Sequence, residues 1–227
     1  MKRGFTILAI VTALLLSFAL YEALAVAPTE RTMGDVQRIF YYHVPSAWTA
    51  FLLFLINFVA SIIYLIRRNS KADILALASA EVGVVFCTVV LVTGPIWARP
   101  VWGIWWTWDM RLTLTLVLWL IYVSYLVLRR FSSSSQTPVL AAVLAVFGAI
   151  DVPLVYFSIW FFRTQHPSPV IGDGGSLDPR MAHVLLINWA AFLCLAWLVC
   201  WTRYRLEVAK RQVEEAQALQ SLLDGSR

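Results

Sequence analysis

The side chains of this sequence with the clearest capacity for ligand binding are imidazoles and indoles. His43 lies in FYYHVPSAW and His166 lies in FFRTQHPSP. A neutral imidazole is a common protein ligand for transition metals, haem iron included. The stretch WARPVWGIWWTWDMRL, residues 97–112, holds five of the chain's 11 tryptophans in its first twelve residues. Indoles offer flat aromatic surfaces, so these side chains could together hold a metal-bearing aromatic ring if the fold brings them together.

The elements that must position these side chains are six apolar runs. The chain is 60% hydrophobic and 14% charged, with a mean hydropathy of +0.74. A soluble domain of this length carries more charge, so we predict an all-α polytopic membrane protein with six transmembrane helices. The spans are predicted at residues 5–27, 47–66, 74–97, 112–128, 139–162 and 183–201. Residues 1–203 form one membrane domain, and residues 204–227 form a cytoplasmic tail with a helical pattern.

The basic residues predict the orientation in the membrane. Twelve of the 18 lysines and arginines lie at the N-terminus, in the second and fourth connections, or after the sixth run. The positive-inside rule then places both termini in the cytoplasm. The first, third and fifth connections face outward, so His43, His166 and the tryptophans meet on one membrane face. We read the N-terminal run as the first span, although its basic start and A-x-A ending also resemble a secretory signal.

The tryptophan stretch itself is interpreted as an amphipathic helix lying flat on the outer face. Pro100 suits a first helical position. On a helical wheel Trp102, Trp105, Trp106 and Asp109 fall within an arc of about 100°. An alternative is an aromatic belt at the membrane interface, where tryptophan is enriched in any case.

An iron porphyrin would use all of these groups. His43 and His166 would supply two axial nitrogens, and the indoles would shield the ring. Arg38 and Arg111 are the candidates for binding the propionates, because guanidinium forks match carboxylates. Each histidine could instead be an interfacial or helix-capping residue. His183 is interpreted as a residue at the start of the sixth span.

Further sequence patterns argue against several other classes of function. The three cysteines lie in apolar runs without a C-x-x-C pair, which is typical of packing residues, and C-x-x-C-H, the attachment motif of c-type haem, is absent. No basic patch indicates nucleic-acid binding, and no span has the central histidine that is usual in b-type electron carriers. Structural and functional readings stay open for four polar residues inside the spans: Asn57, Glu81, Asp151 and Asn188.

The motif WGIWWTWD, Trp102 to Asp109, fits the W-G-x-x-W-x-W-D signature of the haem-handling proteins of cytochrome c maturation. With YYHVPSAW, RTQH and six spans, the chain resembles the CcmC (HelC) branch from about Met33 to Asn188. The resemblance implies axial ligation of haem b by His43 and His166. It also implies a haem-binding site formed by these residues: Trp102, Gly103, Trp106, Trp108, Asp109, Arg38 and Arg111.

The resemblance further implies partners and a location. CcmC-like proteins present haem on the outer face of the bacterial inner membrane to the haem chaperone CcmE. They work with the small membrane protein CcmD and the ABC proteins CcmA and CcmB. We therefore expect a protein that binds and transfers haem rather than an enzyme. The alternative is a haem permease subunit of an ABC transporter complex.

Overall fold

The computed structural model describes residues 2–167 and 177–225. Seven α-helices follow one another along the chain, with a π-helical turn at Glu22–Val26 and a 3-10 helix at Asp35–Ile39. Their bounds are α1 Lys2–Tyr21, α2 Phe40–Arg67, α3 Ser70–Trp102, α4 Met110–Phe131, α5 Thr137–Ala149, α6 Asp151–Phe161 and α7 Pro179–Gly225.

Six helical stretches in the described residues are long and apolar enough to cross a membrane, which confirms the predicted class. Large apolar side chains such as Leu14, Ile66 and Phe131 are exposed on the outside of the bundle. In water such a surface would be unfavourable, whereas lipid is its natural surrounding. The chain is a multi-pass membrane protein.

The bundle core is formed where α2 meets α3 and α4. Phe54 of α2 stacks on Tyr122 of α4, with ring centroids 3.8 Å apart. Gly83 lets α3 approach α2 closely, since a Cβ at this position would come within 2.7 Å of the Phe54 ring. Around this core, α1 packs against α7, and α4 packs against α3, α5 and α6.

The helices of the structure differ in their limits from the predicted spans, and the second, fifth and sixth spans show this clearly. α2 begins at Phe40 rather than at residue 47, so His43 lies inside the helix and not before it. The helix tolerates Pro45 near its beginning, where the missing N–H of proline removes only one backbone hydrogen bond. The fifth span is interrupted at Ile150, two residues before the helix-perturbing pair Val152–Pro153, and therefore consists of α5 and α6. α7 continues through the predicted tail boundary to Gly225 without interruption.

The predicted tryptophan helix is wrong. α3 extends through Pro100 to Trp102 and ends at Gly103, which has a left-handed φ of 79°. The Gly103 N–H closes the last turn on the Arg99 carbonyl at 3.0 Å. α4 then starts only after Asp109, whose carboxylate accepts from the Leu112 N–H at 3.1 Å. Between these two caps residues 103–109 form an irregular connection, so a wheel drawn through them does not define a face.

Candidate functional site

His43, His166 and Arg111 come together at one end of the bundle. The connection before α2, the connection from α3 to α4 and the connection after α6 all lie at this end. His43 and His166 lie within electrostatic range of each other, and the Arg111 guanidinium lies within electrostatic range of both imidazoles. Four helices, α3 to α6, separate the two histidines in the sequence, so only the fold brings them together.

The His43 ring is held from α3. Its Nδ1 lies 2.8 Å from the hydroxyl of Thr93, and the side chain is partly buried. Gly94 lies beside the same ring, since a Cβ there would be 3.5 Å from His43 Cε1. The first turns of α2 and the last third of α3 therefore fix the position of this imidazole jointly.

The His166 ring is held by its own connection. Its Nδ1 donates to the carbonyl of Pro167 at 2.9 Å, because a carbonyl can only accept. Partial burial, together with the positive charge of Arg111, lowers the pKa of His166 to about 4. The imidazole is therefore neutral at pH 7, with Nε2 free of a proton and able to bind a metal.

Asp109 joins the tryptophan segment to the His166 connection. Besides capping α4, its carboxylate accepts from the Thr107 hydroxyl at 3.2 Å and from the Gln165 N–H at 3.4 Å. Gln165 is the residue before His166, so the last residue of the tryptophan signature fixes the base of the second histidine. Its observed role is to position the two connections relative to each other.

The tryptophans form two edge-to-face pairs rather than one helical face. Trp97 meets Trp102 with ring centroids 5.1 Å apart, and Trp106 meets Trp108 at 5.8 Å. Trp108 keeps 76% of its surface exposed, and Trp105 keeps 59%. The segment thus leaves large indole surfaces uncovered at the end of the bundle where the histidines lie.

The two candidate arginines differ in their bonding. Arg38 donates to the carbonyl of Ala23 at 2.7 Å and pairs with Asp35 at 3.1 Å. Its guanidinium is thus largely occupied in capping the end of the first span. Arg111 makes no side-chain hydrogen bond or ion pair within the described parts of the chain, and Asp109 and Tyr156 lie within electrostatic range of it. Arg111 is therefore the arginine free to bind an anionic group beside the histidines.

His183 lies in the second turn of α7 with an exposed side chain, which confirms its placement at the start of the sixth span. Among residues 2–167 and 177–225, no three or more side chains of histidine, cysteine, aspartate or glutamate cluster as they would around a bare metal ion. Two histidines alone suit a metal whose other positions are already filled, as they are in a porphyrin.

Polar residues within the spans make mostly structural contacts. Glu81 pairs with Arg203 at 2.6 Å, Asn188 donates to the carbonyl of Val184 at 2.9 Å, and Asn57 donates to that of Ala76 at 2.7 Å. Asp151 is buried, and its Oδ2 has no hydrogen-bond partner within the described residues.

Sequence reasoning missed two polar residues. Thr93 lies in an apolar run, and its spacing of four residues from Trp97 is the only sequence feature that places it on the same helix face as that tryptophan. Asp73 lies at the opposite end of the bundle and binds Arg129 through two bonds of 2.5 and 2.9 Å, and Arg211 at 2.7 Å. The sequence signal for Asp73 was its position in the first turn of a helix, on the same predicted membrane side as the basic residues Arg129 and Arg211.

Comparison with known proteins places these features in a family. The family model described as "CcmC: Heme exporter protein C" matches residues 1–219. The chain belongs to the CcmC family. It is 36% identical over 217 residues to "Heme exporter protein C" of Bradyrhizobium diazoefficiens, an alignment that covers 94% of this chain and 82% of the relative.

Further relatives of this CcmC family member come from distant organisms. "Heme exporter protein C" of Escherichia coli K12 is 32% identical over 199 residues, covering 87% of this chain and 81% of the relative. The ccmC-like mitochondrial cytochrome c biosynthesis protein of Marchantia polymorpha is 32% identical over 182 residues, covering 80% and 78%. The family predicted from the tryptophan signature is thereby confirmed.

Proposed function

We propose that this chain binds haem at the end of the bundle that carries His43, His166 and the tryptophan segment, and then passes it on to a chaperone. Haem is cargo here and not a resident cofactor. His43 and His166 bind the iron through their Nε2 atoms, and the ring lies against the exposed indoles. The haem is haem b, held without covalent attachment to this chain.

The observation that carries the proposal is the convergence of two imidazoles whose Nδ1 atoms are both already hydrogen-bonded. His43 Nδ1 contacts Thr93, and His166 Nδ1 contacts Pro167. Each ring is thereby oriented, and each has Nε2 left for a ligand. A haem iron offers two axial positions, which matches two imidazoles from different elements.

The surroundings of the imidazoles support the same cargo. Arg111 is a cation without a bonded anion among the described residues and lies within electrostatic range of both rings, so it is suited to a propionate. Arg38 contributes by holding the first span in place and not by a free guanidinium. Trp105 and Trp108 offer exposed indole surfaces, and Trp106 packs edge to face against Trp108, so a ring can leave this surface as easily as it enters.

The site lies on the outer face of the bacterial inner membrane in this proposal, with both termini in the cytoplasm. The basic residues support that orientation, since Arg129, Arg203 and Arg211 all lie at the end of the bundle opposite the histidines. The recipient is a CcmE-like haem chaperone. A CcmD-like small protein and CcmA- and CcmB-like ABC proteins complete the assembly.

The test is haem binding by the purified protein and transfer from it. We expect His43→Ala and His166→Ala each to weaken haem binding roughly tenfold or more, whereas His183→Ala, on the exposed surface of α7, leaves it unchanged. Loaded wild-type protein should deliver its haem to a CcmE-like chaperone. Wild-type haem binding in both variants would refute the proposal.

A permease that carries haem across the bilayer is the alternative. Two of the polar residues it would need inside the spans are engaged elsewhere, since Glu81 pairs with Arg203 and Asn188 bonds to helix backbone. Asp151 keeps a carboxylate oxygen without a hydrogen-bond partner among the described residues. Haem accumulation in vesicles that is abolished by Glu81→Gln, with haem binding at the histidines intact, would favour the permease.

A further inference from the structure

The hydroxyl of Thr93 bonds both to the backbone of its own helix and to His43, and these contacts together define its chemical role. Its Oγ1 lies 2.6 Å from the carbonyl of Val89, one turn earlier in α3, and 2.8 Å from Nδ1 of His43. A hydroxyl carries a single hydrogen, and a carbonyl can only accept. The hydrogen of Thr93 is therefore donated to Val89, and its oxygen accepts from His43.

This arrangement fixes the protonation pattern of the His43 ring. If Thr93 accepts, Nδ1 of His43 must carry the hydrogen, and the lone pair of the neutral ring is then on Nε2. The opposite tautomer would place two lone pairs against each other at 2.8 Å. An Nδ1–H that donates to an acceptor also makes Nε2 a stronger electron donor to a metal.

The position of Thr93 links the histidine to the tryptophan segment. Thr93 lies one helical turn before Trp97, whose indole meets that of Trp102. Gly94, the next residue, lies beside the edge of the His43 ring, and a Cβ at this position would be in van der Waals contact with His43 Cε1. One rigid stretch of α3 therefore orients the imidazole and carries the first tryptophan pair.

The two histidines differ in how their Nδ1 atoms are satisfied. His166 donates to the backbone carbonyl of Pro167, which no side-chain substitution removes. His43 depends on a side-chain hydroxyl. Thr93 is thus the place where a single side chain can change the strength of an axial ligand.

We propose that Thr93 is a positioning residue for haem ligation, which fixes the tautomer and orientation of His43 and increases the electron donation of its Nε2. The inference rests on the proposed haem-binding function. A stronger donor stabilises ferric over ferrous iron, so Thr93 lowers the reduction potential of the bound haem and increases the affinity for ferric haem.

The first test removes the acceptor at nearly constant volume. Thr93→Val should weaken ferric haem binding roughly tenfold. If ferrous haem binding changes little, the midpoint potential becomes about 59 mV more positive for this one-electron couple. Thr93→Ser keeps the hydroxyl and should restore both quantities to within about twofold of the wild type.

The matched control is Thr202→Val on α7. Its hydroxyl donates to the carbonyl of Leu198 at 2.8 Å, the same bond that Thr93 makes to Val89, but it lies away from the imidazoles. A general effect of losing an intrahelical hydroxyl bond would appear in both valine variants. An effect through His43 appears only in Thr93→Val.

A second test needs no haem. Nitrogen-15 NMR of histidine-labelled apo protein distinguishes the two tautomers, and the wild type should show His43 with hydrogen on Nδ1. Thr93→Val should redistribute the hydrogen between the nitrogens while the His166 signals stay unchanged. If Thr93→Val folds poorly, Thr93→Ala is compared with Thr93→Ser in the same measurements.

The outcomes separate this inference from the proposed function. A wild-type tautomer, affinity and potential in Thr93→Val, combined with loss of haem in His43→Ala, overturn the role of Thr93 and leave haem binding standing. Unchanged haem binding in His43→Ala overturns the proposed function itself.

Discussion

The backbone N–H of Gln165 points to the carboxylate of Asp109, 3.4 Å away, across two connections that are 56 residues apart in the sequence. The same carboxylate caps α4. One side chain therefore sets both the start of a helix and the position of the residue before His166.

Substitution of Asp109 separates these two tasks. Asp109→Ala loses both, and we expect the free energy of unfolding to fall by about 1 kcal/mol through the lost cap, together with weaker haem binding. Asp109→Asn keeps a good capping oxygen and should retain most of the stability. Thermal unfolding and haem titration of both variants measure this, and equal haem binding by Asp109→Ala and the wild type would contradict the positioning role.

The buried ion cluster at the opposite end should control stability without touching haem binding. Asp73 and Arg129 keep only 3% and 9% of their side-chain surfaces exposed. Because Arg129→Ala leaves a buried carboxylate with one cation fewer, we expect it to destabilise the fold by roughly 3 kcal/mol.

The control for Arg129→Ala is the exposed pair of Lys210 and Glu214, 3.7 Å apart on α7. Lys210→Ala should change stability by less than about 0.5 kcal/mol, as exposed helix pairs contribute little. Thermal unfolding in one detergent compares the two variants. Equal stability of both would show that the cluster does not stabilise the fold.

Gly103 should be needed for its backbone conformation and not for space. A Cβ at this position would meet nothing within 4 Å, but φ is 79°. Gly103→Ala should therefore cost about 1 kcal/mol by strain alone. Gly4→Ala is the control, since that helical position is equally open and lacks the positive φ. Unfolding measurements that show no difference between the variants would argue against the cap at Gly103.

His166 should stay neutral well below the usual histidine range. Its pKa of about 4 means that the lone pair on Nε2 is lost only as the pH falls through that value. Selective carbon-13 labelling of the three histidines, with His166→Gln to assign the signal, gives the titration directly. A midpoint near the ordinary value of 6.5 would contradict the packing of this ring.

The sequence predicted the class of fold well, because apolar runs of membrane length and their flanking charges are local signals. The family also followed from a local signal, the signature that ends at Asp109. The shape of the tryptophan segment did not, since a wheel assumes a helix and the caps at Gly103 and Asp109 interrupt it.

Contacts between distant elements explain the remaining differences. Periodicity alone does not reveal that Arg38 is occupied by the carbonyl of Ala23, or that Arg203 pairs with Glu81. Thr93 was missed for the same reason, because its partner His43 lies 50 residues earlier. Such pairings depend on which helix faces meet, which a single sequence does not specify.

Identification of the axial ligands tests the central claim most directly. Near-infrared magnetic circular dichroism of the ferric haem-loaded protein reports which pair of ligands binds the iron. We expect two imidazoles in the wild type, and loss of one of them in His43→Met and in His166→Met. A wild-type spectrum without two imidazoles, or one that neither substitution changes, would contradict haem binding between His43 and His166.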